Sequence, residues 1–401
     1  MSSDDVWIIG VSMTKFGRYP GRDVVDLGSE AALAALADAS MSMADMQILA
    51  SGNLYESNAM VGQRIQKQIG QTGIPVYNVA NACATGATAV RVVYLAIKAG
   101  EADCGIAVGS EMMGKAGLLG GGGRAREEKH VFEPNGRYGA VMGTDGILGT
   151  NAMPGVFATA GMEYANRNDG VGFEQFAKVA EKNHAHSVLN PLAQYQKAFS
   201  LEEVMNAEVV SYPNTLLMCC PTGDGAAAAV MVSDTKLRTL PLDVQKRAVK
   251  VSASVMTSDP WTESGQVQPD VNTLTRNAAD KAYEVAGVDP QDLDLVELHD
   301  CFATAELLHY DNLRLCEPGG AGDFIDSGAP RRDGRLPVNV SGGLISKGHP
   351  LGATGVANIF EVTTHLRGEA GDRQIEGAKV GMTHVIGLGS ACAIHILEKA
   401  V

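Results

Sequence analysis

The run that decides the fold is Asn81-Ala82-Cys83-Ala84-Thr85-Gly86-Ala87. It joins an apolar segment at residues 74–79, which predicts a buried strand, to small and apolar residues at 86–98, which predict a largely buried helix ended by Gly100. A thiol at a helix N-terminus faces unpaired N–H groups and the positive end of the helix dipole, and both favour the thiolate. Cys83 is therefore a candidate nucleophile, although a free cysteine is more often an inert buried residue.

Composition narrows the class of protein. The chain has 401 residues, 45% of them hydrophobic, which suits two or three domains with a large core. Its net charge of −14 disfavours nucleic acid and acidic membranes as general partners. The acidic start at residues 1–5 is unlike a secretory signal, and no stretch approaches the length of a membrane-spanning helix. Seven scattered cysteines then indicate reduced thiols and a cytoplasmic protein, and no spacing typical of a metal site is present.

The order of the predicted elements repeats. In both halves of the chain a helix-like segment turns into a strand-like one, at residues 35–49 and again at residues 282–298. A later strand follows in each half, near residues 78–79 and 338–340, and leads into a long helix of small residues. This repetition predicts an α/β protein made of two related halves.

A region of different character, placed at residues 117–213, separates the two halves. It predicts loops and one amphipathic helix, over residues 173–184. Inserted segments of this kind often carry ligand contacts. Its basic residues are as typical of solvated surface as of an anion site, and they include Arg124, Arg126 and Lys129.

Two further segments hold reactive side chains. Glu297-Leu298-His299-Asp300-Cys301-Phe302 ends a predicted strand, and strand ends are where open α/β sheets bind ligands. Gly348-His349-Pro350 makes a constrained turn before a helix. Taken alone, each of these histidines is more often a structural residue than a catalytic one. The duplication, however, puts the turn of His349 where the turn of Cys83 stands in the first half, so we expect the two to meet as base and nucleophile.

Taken together, these motifs resemble the thiolase superfamily, and within it the sterol-carrier-protein type. The resemblance is carried by the run around Cys83, by His299-Asp300-Cys301-Phe302 and by residues 348–355 around His349. It covers nearly the whole chain, without the lipid-transfer domain that some relatives append. Shorter matches are Lys182-Asn183-His184-Ala185-His186-Ser187, Asn190-Pro191 and Cys220-Pro221-Thr222-Gly223-Asp224-Gly225.

The resemblance implies a thiolase-like α/β fold of two duplicated βαβαβαββ-type halves in α-β-α-β-α layers. Residues 1–116 and 214–240 would form the N-terminal half and residues 241–401 the C-terminal half. The inserted residues 117–213 would supply contacts to coenzyme A.

Residue roles are implied as well. Cys83 would be the nucleophile and His349 its base, while His299 and His349 would serve the oxygen of an acetyl-CoA enolate. The backbone N–H groups of Cys83 and Gly387 would serve the oxygen of the tetrahedral intermediate.

One departure from the family concerns the second catalytic cysteine, which most thiolases carry in a Cys-x-Gly motif near the C-terminus. The matching stretch here is Val385-Ile386-Gly387-Leu388-Gly389, which has no cysteine. Cys301 is the implied replacement. We interpret the remaining cysteines as packing residues, namely Cys104, Cys219, Cys220, Cys316 and Cys392.

The implied activity is reversible thiolysis of a 3-oxoacyl-CoA by coenzyme A, through an acyl group on Cys83. The products would be an acyl-CoA and acetyl-CoA, or propanoyl-CoA from 2-methyl substrates. Coenzyme A would act as substrate, with no permanently bound cofactor, in a homodimer or homotetramer. Two alternatives stay open: a thiolase-like aldolase of steroid side-chain thioesters with a small accessory protein, and a non-catalytic subunit that binds thioesters or lipids.

Overall fold

The structure is a computed structural model that describes residues 5–114, 152–260, 271–388 and 390–400. The basic residues of the predicted insertion, Arg124, Arg126 and Lys129, lie outside the described residues. The proposed limits at 1–116, 117–213, 214–240 and 241–401 stay predictions. No helix of the described residues is long and apolar enough to cross a bilayer.

Strands and helices alternate through most of the described chain. The strands are β1 (Val6–Met13), β2 (Ile48–Gly52), β3 (Val76–Val79), β4 (Cys104–Met112), β5 (Val209–Ser211), β6 (Asn214–Thr215), β7 (Asp224–Ser233), β8 (Val249–Thr257), β9 (Leu295–Glu297), β10 (Val380–Gly387) and β11 (Ala391–Lys399). The helices are α1 (Val24–Asp38), α2 (Val61–Ile69), α3 (Thr85–Lys98), α4 (Ala152–Arg167), α5 (Phe173–Ser187), α6 (Leu201–Met205), α7 (Asp234–Leu237), α8 (Leu242–Arg247), α9 (Val271–Ala286), α10 (Ala303–Asn312), α11 (Ala321–Asp326), α12 (Gly343–Lys347) and α13 (Leu351–Arg367).

The main sheet consists of two similar halves. Its nine described strands run in the order β3-β2-β4-β7-β1-β8-β11-β10-β9. The halves meet at β1 and β8, which share just the pairs Trp7–Lys250 and Ile8–Val249. In the second half Val338 makes an isolated parallel bridge to Val296 of β9. In the first half β3 occupies the corresponding position, parallel to β2. Both halves therefore have the same strand order, and the predicted duplicated α/β fold is confirmed.

Helices α3 and α13 form the central layer. They pack on each other, and α13 contacts strands of both half-sheets. Helices α1 and α2 cover the outer face of the first half-sheet, and α9 covers that of the second. The layers are thus helix, sheet, helix, sheet and helix, as predicted.

Glycines allow the two central helices to approach closely. A Cβ atom on Gly86 would lie 2.6 Å from the carbonyl oxygen of Gly352, and one on Gly355 would lie 2.2 Å from the amide nitrogen of Ala87. Any larger residue at these two positions would push α3 and α13 apart. Because Cys83 precedes α3 and His349 precedes α13, the same contact draws both turns to the centre.

Two predicted strands differ from the structure. β3 was expected to be buried but lies at the edge of the sheet, where Tyr77 is 47% exposed, because it is hydrogen-bonded to β2 alone among the described strands. Residues 338–340 form an isolated bridge rather than a strand. The reason is Asn339, whose φ of 54° is left-handed and interrupts the extended backbone.

Candidate active site

Cys83 stands on a tight turn between β3 and α3. Ala82 takes a left-handed φ of 47°, which turns the chain sharply just before the cysteine. The hydroxyl of Thr85 donates to the carbonyl of Ala82 at 2.6 Å and accepts the amide N–H of Asn81 at 2.8 Å. These bonds hold the turn, and with it the thiol, in one position. Helix α3 ends as predicted, with Gly100 at a φ of 74°.

The structure brings three of the four predicted catalytic side chains together. The sulfur of Cys83 and one ring nitrogen each of His299 and His349 all lie within 4.8 Å of one another. The two imidazole rings meet edge to face, with centroids 5.1 Å apart and an angle of 76° between the planes. We call Cys83, His299 and His349 the central trio.

Thr354 determines which nitrogen of His349 carries the proton. The Nδ1 atom of His349 lies 2.8 Å from Oγ1 of Thr354, and the Thr354 hydroxyl donates its own hydrogen to the carbonyl of Pro350 at 2.9 Å. A hydroxyl has one hydrogen to give, so Thr354 must accept from Nδ1–H. The Nε2 atom therefore keeps its lone pair, and it has no hydrogen-bond partner in the part of the chain described. His349 is thus prepared to accept a proton.

Burial keeps the central trio neutral. It raises the pKa of the Cys83 thiol to about 12, against the opposing effect of the backbone N–H groups of Leu388 and Cys83. Burial likewise lowers the pKa of His299 to about 3, and burial together with the charges of His299 and Lys347 holds the pKa of His349 well below its usual range. The helix end favours the thiolate, as the sequence indicates, but in the free protein the loss of solvation outweighs that effect.

A buried carboxylate anchors the loop that carries His299. Asp300 accepts the N–H groups of Leu344 at 2.7 Å and Ile345 at 3.2 Å, in the first turn of α12. Because α12 leads directly into the turn of His349, this contact fixes the two histidines relative to each other. The N–H of His299 itself donates to Nδ1 of His384 at 3.4 Å.

Cys301 lies beside the central trio. Its carbonyl accepts the N–H of Cys220 at 2.9 Å, next to an antiparallel bridge between Cys219 and Phe302. Burial raises the pKa of the Cys301 thiol, and the neighbouring thiols of Cys220 and Cys83 raise it further. Cys301 therefore carries its proton at neutral pH and lies within electrostatic reach of the nucleophile.

The end of β10 approaches the turn of Cys83. A Cβ atom on Gly387 would lie 2.4 Å from the carbonyl oxygen of Asn81, so only glycine fits there. The N–H of the following residue, Leu388, donates to the Cys83 thiol. Leu388 was not singled out from the sequence, and its neighbour Gly387 was the available signal. The role of the Gly387 N–H as an oxyanion donor stays a prediction.

Glu111 was also missed in the sequence. It lies at the end of β4, and its carboxylate accepts the N–H groups of Leu54 at 2.9 Å, Tyr55 at 3.2 Å and Gly352 at 3.2 Å. Burial raises the pKa of Glu111 to about 7 in spite of these bonds, and its charge adds to the raised pKa of Cys83. Glu111 thus joins the start of α13 to the loop after β2, close to the nucleophile. The sequence feature that could have indicated Glu111 is an acidic residue in an otherwise apolar strand.

Comparison with known proteins shows the family of this chain. The family model described as "Thiolase, N-terminal domain" matches residues 6–210, and "Thiolase C-terminal domain-like" matches residues 260–399. The chain belongs to the thiolase superfamily. This thiolase is 40% identical over 401 residues to human sterol carrier protein 2, a match that covers 98% of the chain and 72% of that protein. It is 37% identical over 406 residues to an acetyl-CoA acetyltransferase of Methanothermobacter thermautotrophicus, a match that covers 98% of the chain and 100% of that protein. The chain is therefore an acyltransferase of the sterol-carrier-protein type.

Solved structures share its fold. An Ltp2-ChsH2(DUF35) aldolase superposes with a TM-score of 0.79 at 22% identity, covering 99% of this thiolase and 98% of that chain. Human mitochondrial 3-ketoacyl-CoA thiolase in complex with CoA superposes with a TM-score of 0.73 at 17% identity, covering 100% of both chains. At these identities the likeness is one of fold.

Proposed function

We propose that this thiolase cleaves 3-oxoacyl-CoA thioesters by thiolysis, with Cys83 as the nucleophile. The observation that carries the proposal is the meeting of the Cys83 sulfur with nitrogens of His299 and His349 within 4.8 Å. An activated nucleophile needs a base within reach that is itself held by a third group. His349, oriented by Thr354, meets that requirement.

In the first half-reaction, Nε2 of His349 takes the thiol proton as the Cys83 sulfur attacks the 3-keto carbon. The bond between carbons 2 and 3 then breaks, which leaves the acyl group on Cys83 and an acetyl-CoA enolate. The Cys301 thiol gives its proton to carbon 2 and becomes a thiolate, and acetyl-CoA leaves. A 2-methyl substrate would release propanoyl-CoA by the same steps.

In the second half-reaction, coenzyme A gives its thiol proton to the Cys301 thiolate and attacks the acyl group. As the tetrahedral intermediate collapses, the Cys83 sulfur takes back the proton held by His349. Both cysteines and the histidine return to their starting states. Every step is reversible, so synthesis follows the same path with Cys301 as the base.

Negative charge on oxygen is the main cost of both steps. In this proposal His299 and His349 donate to the enolate oxygen. The backbone N–H groups of Cys83 and Gly387 donate to the oxygen of the tetrahedral intermediate. The loss of one such donor typically costs about 3 kcal/mol of barrier, or at least a hundredfold in rate. Both histidines of the trio are buried and neutral before substrate binds. Donors that the protein already holds in position do not need to be reoriented during the reaction.

Coenzyme A is proposed as a substrate, and residues 117–213 are proposed as the source of its contacts. We also propose a homodimer or homotetramer. Among the described strands β3 pairs with β2 alone, so its other edge could pair with a strand of a second copy, and Tyr77 is exposed there. A small accessory protein is also proposed as a partner. A cytoplasmic location is kept as well, since all seven cysteines are unpaired.

The test is to mix the protein with acetoacetyl-CoA and free coenzyme A and to follow the loss of the 3-oxoacyl absorbance. We expect turnover that disappears in Cys83→Ala, and an acyl adduct on Cys83 by mass spectrometry when coenzyme A is withheld. A panel of longer, branched and steroid 3-oxoacyl thioesters then identifies the substrate class. Absence of both thiolysis and adduct over the whole panel would refute the proposal. Cleavage of 3-hydroxyacyl thioesters without coenzyme A would indicate the aldolase instead.

A further inference from the structure

The central trio offers the donor atoms that soft divalent cations prefer. One sulfur and two imidazole nitrogens lie within 4.8 Å of one another. A metal held tetrahedrally at about 2.0–2.3 Å from each atom needs them about 3.3–3.8 Å apart, so the three side chains would close by up to about 1.5 Å on binding. Zn²⁺ is bound in proteins by such cysteine and histidine sets, usually with tetrahedral geometry. No local spacing in the sequence indicates this site, because the three ligands are far apart in the chain.

Two ring nitrogens of these histidines are buried and have no partner in the described part of the chain. Nε2 of His349 and Nδ1 of His299 have no hydrogen-bond partner among the residues described, and both side chains are at most 1% exposed. An unpaired buried nitrogen is costly, so each of these atoms is expected to have a partner in the working protein. Substrate or water is one kind of partner, and a cation is another.

The surroundings of His349 match those of a metal ligand. Ligating histidines almost always give their second ring N–H to an oxygen acceptor, which fixes the ring and its tautomer. The bond from Nδ1–H of His349 to Thr354 does the same here. The carboxylate of Glu111 accepts the N–H of Gly352 in the first turn of α13, three residues after His349, and its negative charge would also favour a cation there.

We propose that Cys83, His299 and His349 together bind one Zn²⁺ ion, and that this ion reversibly blocks the enzyme. Binding exchanges the thiol proton for the metal: the S–H bond breaks, an S–Zn bond forms and one proton is released to solvent. The fourth coordination position stays open to water or to the thiol of coenzyme A. The metal would engage the nucleophile and the base at once, so thiolysis would stop. The block rests on the proposed function, whereas the metal site itself does not.

Cobalt(II) tests the site without any use of activity, because a thiolate bound to Co²⁺ gives a charge-transfer band in the near ultraviolet. We expect a saturable band at one Co²⁺ per chain, displaced by Zn²⁺ and lost in Cys83→Ser. His299→Asn and His349→Asn should each weaken Co²⁺ binding by at least about tenfold. Cys316→Ser is the matched control, because Cys316 is another partly exposed free thiol and should leave the band unchanged.

Activity assays with Zn²⁺ form a separate arm. Addition of Zn²⁺ should stop thiolysis, and a chelator should restore it. A band that survives in Cys83→Ser, or the absence of any saturable band in the unmodified protein, would overturn the metal site. A protein that binds Co²⁺ as expected but shows no thiolysis would refute the proposed function and leave the metal site intact.

Discussion

The Nδ1–H group of His349 donates a hydrogen bond to the hydroxyl of Thr354, five residues later in the chain, across 2.8 Å. The hydroxyl in turn donates to the carbonyl of Pro350, so its direction is fixed by the first turn of α13. A residue outside the central trio thus decides whether the base presents a lone pair or a proton to the nucleophile.

Replacement of Thr354 by valine should reduce the rate without unfolding the protein. Valine keeps the shape but cannot accept from Nδ1–H, so part of the His349 population would carry its proton on Nε2. We expect kcat for thiolysis to fall by about ten- to a hundredfold, with KM little changed. Thr354→Ser, which keeps the hydroxyl, is the matched control. Equal rates for the two variants would contradict this role.

Substitution of Gly355 by alanine should affect both stability and activity. The added Cβ would lie 2.2 Å from the amide nitrogen of Ala87, so α3 and α13 must move apart. Overpacking of this kind typically costs about 1–3 kcal/mol of unfolding free energy. Urea denaturation and thiolysis rates check both effects. Gly21→Ala is the control, because a Cβ on Gly21 meets no atom within 4 Å. A Gly355→Ala variant as stable and as active as this control would show that the helices tolerate separation.

The duplicated order of elements and the positions of the two turns could be predicted from the sequence. Both follow from short segments of sequence, namely the apolar strand before each turn and the small residues after it. The small residues around Gly86 and Gly355 are also what the close helix contact requires. Local sequence therefore indicated where Cys83 and His349 would stand.

Other parts of the site depend on contacts between distant segments. Glu111 acts through Leu54 and Gly352, neither of which is near it in the chain. The protonation state of Cys83 likewise follows from burial by surrounding segments, which a motif does not encode. The helix dipole, which can be inferred from local sequence, is therefore only one of the effects on the pKa of this thiol.

Glu111 makes stability depend on pH. Its pKa is about 7 in the folded protein against an ordinary value of 4.5, so the folded state binds more protons between these values. The stabilisation is present in full below the ordinary value and is lost as the pH rises through 7, by an amount on the order of 3 kcal/mol. Glu111→Gln should remove this dependence. We expect the Tm difference, wild type minus variant, to fall between about pH 5 and pH 8, and a constant difference would contradict the assignment.

Cys301→Ala should separate the two chemical steps. Without its thiol the enolate has no proton donor, so cleavage of 3-oxoacyl thioesters should fall sharply. Acyl loading of Cys83 from a simple acyl-CoA needs no carbon acid. In that reaction His349 can pass the Cys83 proton to the departing coenzyme A thiolate in place of Cys301, so loading should survive, as mass spectrometry can show. Cys392→Ala removes another buried thiol and serves as the control for lost packing. If loading falls as far as cleavage does, Cys301 has a different role.

The buried ion pair behind the catalytic loop should matter most to stability. Lys182 and Glu306 are fully buried and 2.8 Å apart, and Glu306 is also tied to Asp300 through the side chain of Asn183. Lys182→Met would leave the Glu306 charge without its partner, which typically costs about 3–5 kcal/mol of unfolding free energy.

The matched control for that change is Lys178→Met, one turn earlier in α5, where the lysine pairs with Glu174 and Asp326 near the surface. Exposed pairs are worth about 0–1 kcal/mol, so this variant should unfold close to the wild type. A double variant, Lys182→Met with Glu306→Leu, should recover part of the loss because no unpaired charge remains. If chemical denaturation shows the two single lysine variants to be equally stable, the buried pair does not hold this loop.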